Sequence, residues 1–167
     1  MLEILIVIVI IGVLGAIGYP MALKMKSRAT STVCVGKLRQ IGISFNLYFA
    51  DHGMRFPVML AARESRNQDV PAIDTVLREY VNDELTFKCP ADHEDIFEDT
   101  GSSYFWNSLV NGQLCNNMNL LGLTKNKMGI PIVSDKEAFH KHSGSKVNIL
   151  YADGHVQNKV QFNVDPK

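Results

Sequence analysis

Residues 4–23 read ILIVIVIIGVLGAIGYPMAL, twenty consecutive positions without a charge. As a helix rising 1.5 Å per residue this run covers about 30 Å, the thickness of the hydrocarbon core of a bilayer. It is apolar on every face, whereas a helix lying on a soluble core keeps one polar side. A cleaved secretory signal would begin with basic residues, carry a shorter apolar stretch and end in a small-residue cleavage site. The only charge ahead of this run is Glu3. The reading is a membrane-spanning helix near the start of the chain.

Beyond Leu23 the character changes. Lys24, Lys26 and Arg28 appear, and then Cys34, Leu38, Ile41, Phe45 and Tyr48 recur at intervals of four, three, four and three residues. Those intervals place them on one stripe of a helix. No proline interrupts positions 21–56, so the spacing predicts one continuous helix to about Ala50, roughly 70 Å long. Asp51, His52 and Gly53 mark its end, and Pro57 cannot continue it. The division expected is a transmembrane and assembly segment at 1–27 and a globular head at 28–167, the head including the amphipathic half of the helix at about 28–50.

The head itself reads as mixed. Ile73, Val76, Leu77 and Tyr80 are spaced for one face of a short helix. Residues 129–134 (GIPIVS) form one candidate strand. Residues 146–152 and 155–160 form two more, joined at Asp153-Gly154, a dipeptide suited to a two-residue type I′ hairpin turn. The polar, acidic segment 92–103 reads as a surface loop. The expected fold class is therefore α+β, a long N-terminal helix packed against a small antiparallel sheet.

Composition narrows the function. The 167 residues, 46% of them hydrophobic, suffice for one domain and an appendage. Seventeen basic side chains balance seventeen acidic ones, so the chain lacks the basic excess that nucleic-acid binding exploits. No GxSxG, HExxH, P-loop or GxGxxG pattern organises a reaction, and an enzyme is not expected. Three cysteines, Cys34, Cys89 and Cys115, contain no CxxC pair of the zinc type and permit one bridge within the chain. Cys34 shares its stripe with Leu38 and Ile41 and so faces the head. A Cys34–Cys89 bridge and a Cys89–Cys115 bridge both remain open. His140, His142, Asp153 and His155 are residue types that bind transition metals, and alternate strand residues share a face. The reading preferred for them is a turn at Asp153-Gly154 with surface histidines, and no metal site.

The opening Leu2-Glu3-Ile4-Leu5-Ile6-Val7-Ile8-Val9-Ile10-Ile11, with Pro20 seventeen residues after Glu3, resembles the N-terminal segment of type IV pilins and type II secretion pseudopilins. Further on, Lys37-Leu38-Arg39-Gln40-Ile41-Gly42, Tyr48-Phe49-Ala50-Asp51, Cys89-Pro90-Ala91-Asp92, Tyr104-Phe105-Trp106-Asn107 and Tyr151-Ala152-Asp153-Gly154-His155-Val156 look like one pseudopilin-like subfamily. Its C-terminal mark is a histidine, nine residues, then Asp-Gly. Here ten residues separate His142 from Asp153. The family's basic leader and the glycine before its peptidase cut do not appear, and Glu3 stands two places early, so a truncated start is expected. A leader would also supply the positive charge that opposes Lys24, Lys26 and Arg28 in setting orientation.

The resemblance implies a non-enzymatic filament subunit. It would sit in a bacterial inner membrane, single-pass, with its head periplasmic or extracellular. Its partners would be the membrane, copies of itself, other pilin-like subunits, a prepilin peptidase and an assembly machinery. Glu3 would pair with the N-terminal amine of a neighbour, since a charge in lipid demands a partner. Gly12, Gly15 and Gly18 would give a small-residue strip for helix packing, and Pro20 a point of kinking or unwinding. Some pseudopilins hold calcium in a head loop, and Asp92, Glu94, Asp95, Glu98 and Asp99 supply hard oxygens without the EF-hand spacing. The competing class is a membrane-anchored binding or metal-dependent domain whose helix is only a tether.

Overall fold

The computed structural model describes residues 2–122, 124–140 and 147–158. Helix α1 runs unbroken through Leu2–Asp51, passing Pro20 without interruption. It stops at His52-Gly53, where the Met54 N–H bonds back to the Phe49 carbonyl at 3.0 Å in the six-to-one pattern of a helix C-terminus. A four-residue helix α2 (Ile73–Val76) and a 3-10 turn at Arg78–Tyr80 occupy the predicted second helix. A short helix α3 (Ile96–Thr100) precedes strand β1 (Tyr104–Trp106). Strands β2 (Pro131–Asp135), β3 (Ile149–Tyr151) and β4 (Val156–Gln157) complete one antiparallel sheet in the order β1-β2-β3-β4. The α+β class holds: one long helix and a small antiparallel sheet.

The core lies between the second half of α1 and the sheet. Cys34, Leu38, Ile41, Phe45 and Phe49 are buried on the helix, packed with Leu77, Phe87, Trp106, Ile132 and Leu150. The Phe45 ring stacks on Trp106 at 5.1 Å between centroids, and Phe49 meets Phe56 edge-on at 4.7 Å. The stripe ends on Phe49 rather than on Tyr48, which is only partly buried. Gly42 lies where α1 packs against β3. A Cβ there would stand 3.3 Å from Leu150 Cδ1. Polar ties reinforce the contact: Lys37 Nζ donates to the Lys88 carbonyl at 2.7 Å, and Ser44 Oγ to the Tyr80 carbonyl at 3.0 Å.

Two expectations are corrected. Segment 92–103 is not a plain surface loop, because it contains α3 and buries Asp92, Phe97, Ser102 and Ser103. Its acidic composition conceals a carboxylate turned inward to bond backbone amides. The hairpin turn also differs. Leu150 pairs with Val156 and Tyr151 N bonds to His155 O, so three residues connect the strands instead of two. The Gly154 N–H closes the turn on the Tyr151 carbonyl at 2.9 Å, and of Asp153 and Gly154 only the glycine has positive φ, at 90°. That is a type I turn followed by a left-handed glycine, the usual three-residue hairpin, and not type I′. The predicted strand ends at 146 and 159–160 lie outside the described residues.

Candidate functional site

The first half of α1 is bare until its last turn, where Leu23 and Lys26 border a groove with Ala91, Glu94 and Phe139 of the head. From Ile4 to Met25 its large apolar side chains are 44–71% exposed, and no part of its most apolar window is buried. Length and composition make it the one described helix able to cross a membrane. Glu3 is exposed in its first turn. A Cβ added at Gly12, Gly15 or Gly18 would meet no atom within 4 Å, so the small-residue strip is open along its whole length. At three-residue intervals these glycines wind about 60° per step around the helix, covering a third of its circumference. On the outer face of the second half, Val33, Ile43 and Leu47 are also exposed. Ile43 and Leu47 border a groove of about 430 Å³ with Leu85.

The three cysteines resolve into a bridge and a free thiol. Cys34 is bonded to Cys89, tying α1 to the segment after the 3-10 turn at Glu84–Phe87, and Cys115 is free and buried. Behind the bridge stands His140, fully buried, its Nε2 3.5 Å from Cys89 Sγ and 3.6 Å from Asp135 Oδ2. Burial pushes the His140 imidazole below its ordinary value. Asp135 accepts hydrogen bonds at Oδ2 from the Asn148 backbone N–H at 2.7 Å and side-chain amide at 3.1 Å. Burial outweighs those bonds and lifts its carboxyl to about 7. The Cys89 N–H donates to Ser103 Oγ at 3.1 Å, and Ser103 donates to Asp92 at 2.6 Å. Asp92 in turn accepts from the amides of Ile96 and Phe97 and holds the start of α3.

The other candidate ligands are dispersed. Asp153 pairs with His155 Nδ1, and the His155 ring stacks on Tyr151 at 4.5 Å. That pair belongs to the hairpin, whereas His140 belongs to the bridge. His142 lies outside the described residues. Among the described residues the five acids of the loop do not converge on one point. Asp92 is committed to backbone amides, and Glu98 pairs with Lys88 at 2.7 Å.

Sequence reasoning missed the burial of His140, since its neighbours Lys141, His142 and Ser143 suggest a surface loop. It also missed the buried Arg63–Asp74 ion pair, in which Arg63 Nε further bonds the Thr100 carbonyl at 2.8 Å. No pattern in the sequence links those two positions. Comparison of the chain with protein-family models, with curated proteins and with solved structures finds no match.

Proposed function

We propose that this chain is a structural subunit of a type II secretion pseudopilus or a type IV pilus-like filament, inserted in a bacterial inner membrane through the first half of α1. One observation supports this most: a single unbroken helix is bare and apolar for its first half and covered by its own head for the second. A helix that served only as a tether needs no rigid continuation into a folded head. A subunit that must leave lipid and bundle with its neighbours needs both. In that bundle the bare halves pack together and the heads face outward, in the periplasm or beyond the cell. The open strip at Gly12, Gly15 and Gly18 lets another helix approach closely.

Glu3 fixes the register. A charged side chain deep in lipid costs a few kcal/mol, on the order of 3 at the bilayer centre, and a cation on the adjacent subunit offsets it. The exposed Ile43, Leu47 and Leu85 give neighbouring heads an apolar surface to meet. Processing and extension belong to a separate peptidase and assembly machinery, and the subunit itself performs no chemistry.

Glu3→Leu, introduced into the natural gene in its host, separates insertion from assembly. The expected result is full recovery in the membrane fraction with at least tenfold less chain in sheared or crosslinked filaments. Filaments at the parental level would overturn the role given to Glu3, and a chain found free of membranes would overturn the assignment as a whole.

A further inference from the structure

The Cys34–Cys89 bridge has two neighbours that a disulfide does not require. His140 Nε2 lies 3.5 Å from Cys89 Sγ, and Asp135 Oδ2 lies 3.6 Å from that nitrogen. The ligand atoms of Cys34, Cys89 and His140 all fall within 4.8 Å of one another. All three side chains are 0% exposed and Asp135 is 4% exposed. They come from four places in the chain: α1, the segment following Glu84–Phe87, the end of β2 and the stretch just after it.

The two separations measured from His140 match a tetrahedral shell. With metal–sulfur bonds of about 2.3 Å and metal–nitrogen bonds of about 2.05 Å, a tetrahedral centre sets sulfur and nitrogen about 3.5 Å apart. Nitrogen and a carboxylate oxygen bound at about 2.1 Å come out near 3.4 Å apart. Two separations do not fit: the sulfurs are bonded to each other, and Asp135, within reach of His140, stands outside the cluster of mutually close ligand atoms, so its carboxylate must move in to become the fourth ligand. As separate ligands the two sulfurs would stand about 3.8 Å apart, and breaking the bond allows that. Two thiolates, an imidazole and a carboxylate suit zinc and cobalt, and not calcium.

We propose that the bridge is the oxidised state of a buried metal site, and that after reduction Cys34, Cys89, His140 and Asp135 bind one thiophilic divalent cation of the zinc type. A dithiol donor gives two electrons and two protons to the Cys34–Cys89 bond and becomes a disulfide, leaving two thiols on the chain. The cation displaces both thiol protons to solvent and is held by the two thiolates, His140 Nε2 and Asp135 Oδ2. The helix thus stays tied to the head in either redox state, by a covalent bond in an oxidising compartment and by a metal in a reducing one.

The full chain in detergent, reduced with a dithiol and desalted under argon, is titrated with Co²⁺ alone and then with Zn²⁺. The expected result is one Co²⁺ per chain, with thiolate-to-cobalt charge-transfer absorption, intense tetrahedral visible bands and displacement by Zn²⁺. The oxidised chain gives none of these. Cys115→Ser behaves as the parent, His140→Ala binds at least tenfold more weakly, and His140→Cys restores binding with stronger charge-transfer absorption. The proposal is overturned if the reduced chain takes up no stoichiometric Co²⁺, whether circular dichroism finds it folded or not. Equal binding by His140→Ala, or loss of binding in Cys115→Ser, overturns it as well.

Discussion

Residues 4–25 and 31–49 belong to the same helix and are rich in the same kinds of side chain, yet they meet different surroundings. Ile8 and Ile17 are 65% and 66% exposed, while Leu38 and Ile41 are 0% exposed. Apolar content alone does not decide which half the head covers. Arrangement does. A helix apolar all round offers a globular head no preferred side, whereas a stripe every three or four residues presents one face to a core and leaves the other to water. The bare half satisfies its own backbone hydrogen bonds, which is the condition for lying in lipid.

The sharpest way to break this contrast is to make the same kind of deletion in each half. Phe45→Ala removes a ring packed on Trp106, Phe49 and Phe56 and should destabilise the head by about 3 to 5 kcal/mol. Ile10→Ala should leave head stability unchanged, because nothing in the head touches it. Denaturant unfolding in detergent, followed by the emission of Trp106, the sole tryptophan, measures both. Equal losses would mean that the bare half packs on the head after all.

A smaller effect is expected at the hairpin, which lies against the covered half. Gly154 has φ of 90° with open space around it. Gly154→Val should therefore cost about 1 to 3 kcal/mol through backbone strain alone. His155→Ala loses one half-exposed pair and a stacking contact on Tyr151, and should cost less than about 1 kcal/mol. Thermal melts of the two variants rank them. The reverse order would show that the turn depends on the histidine and not on the glycine.

The stripe at Cys34, Leu38, Ile41 and Phe45 was readable because one period governs about three turns of helix. The head was less readable, since its strands are two to five residues long. Tyr104–Trp106 is too short to display an alternation, and its pairing with β2 comes from thirty residues downstream. Asp153-Gly154 was correctly placed in a turn. The turn type depends on whether Tyr151 faces His155, and that register is set by packing of β3 on α1. The bridge site was the least legible, because burial of Asp135 and His140 follows from Cys34 and Cys89 drawing distant segments together.

A change of pH tests that burial. Asp135 holds its proton up to about pH 7 when folded, because burial outweighs the hydrogen bonds from Asn148. In the unfolded chain it releases the proton near pH 4. Between these values the folded state binds more protons, so this group's stabilisation is complete below about pH 4 and declines as pH rises toward 7. His140, lowered by burial, contributes the opposite slope below its unfolded value. Asp135→Asn removes the first term only. The difference in unfolding free energy between parent and variant should change by up to about 3 kcal/mol from pH 4 to 7, with the parent losing ground. A constant difference across that range would place the carboxyl in water.

The position of the bridge has a mechanical consequence. Ser31 is the first buried position along α1, and Cys34 lies one turn beyond it. A pull on the bare end of the rod therefore meets a covalent bond within one turn of entering the head, just past the single Ser31–Asn148 hydrogen bond. The short strands would be peeled apart by a modest load if they carried it in series. With the tie at the foot of the head, tension runs from rod to bridge to the Cys89 segment, and the strands above it are shielded.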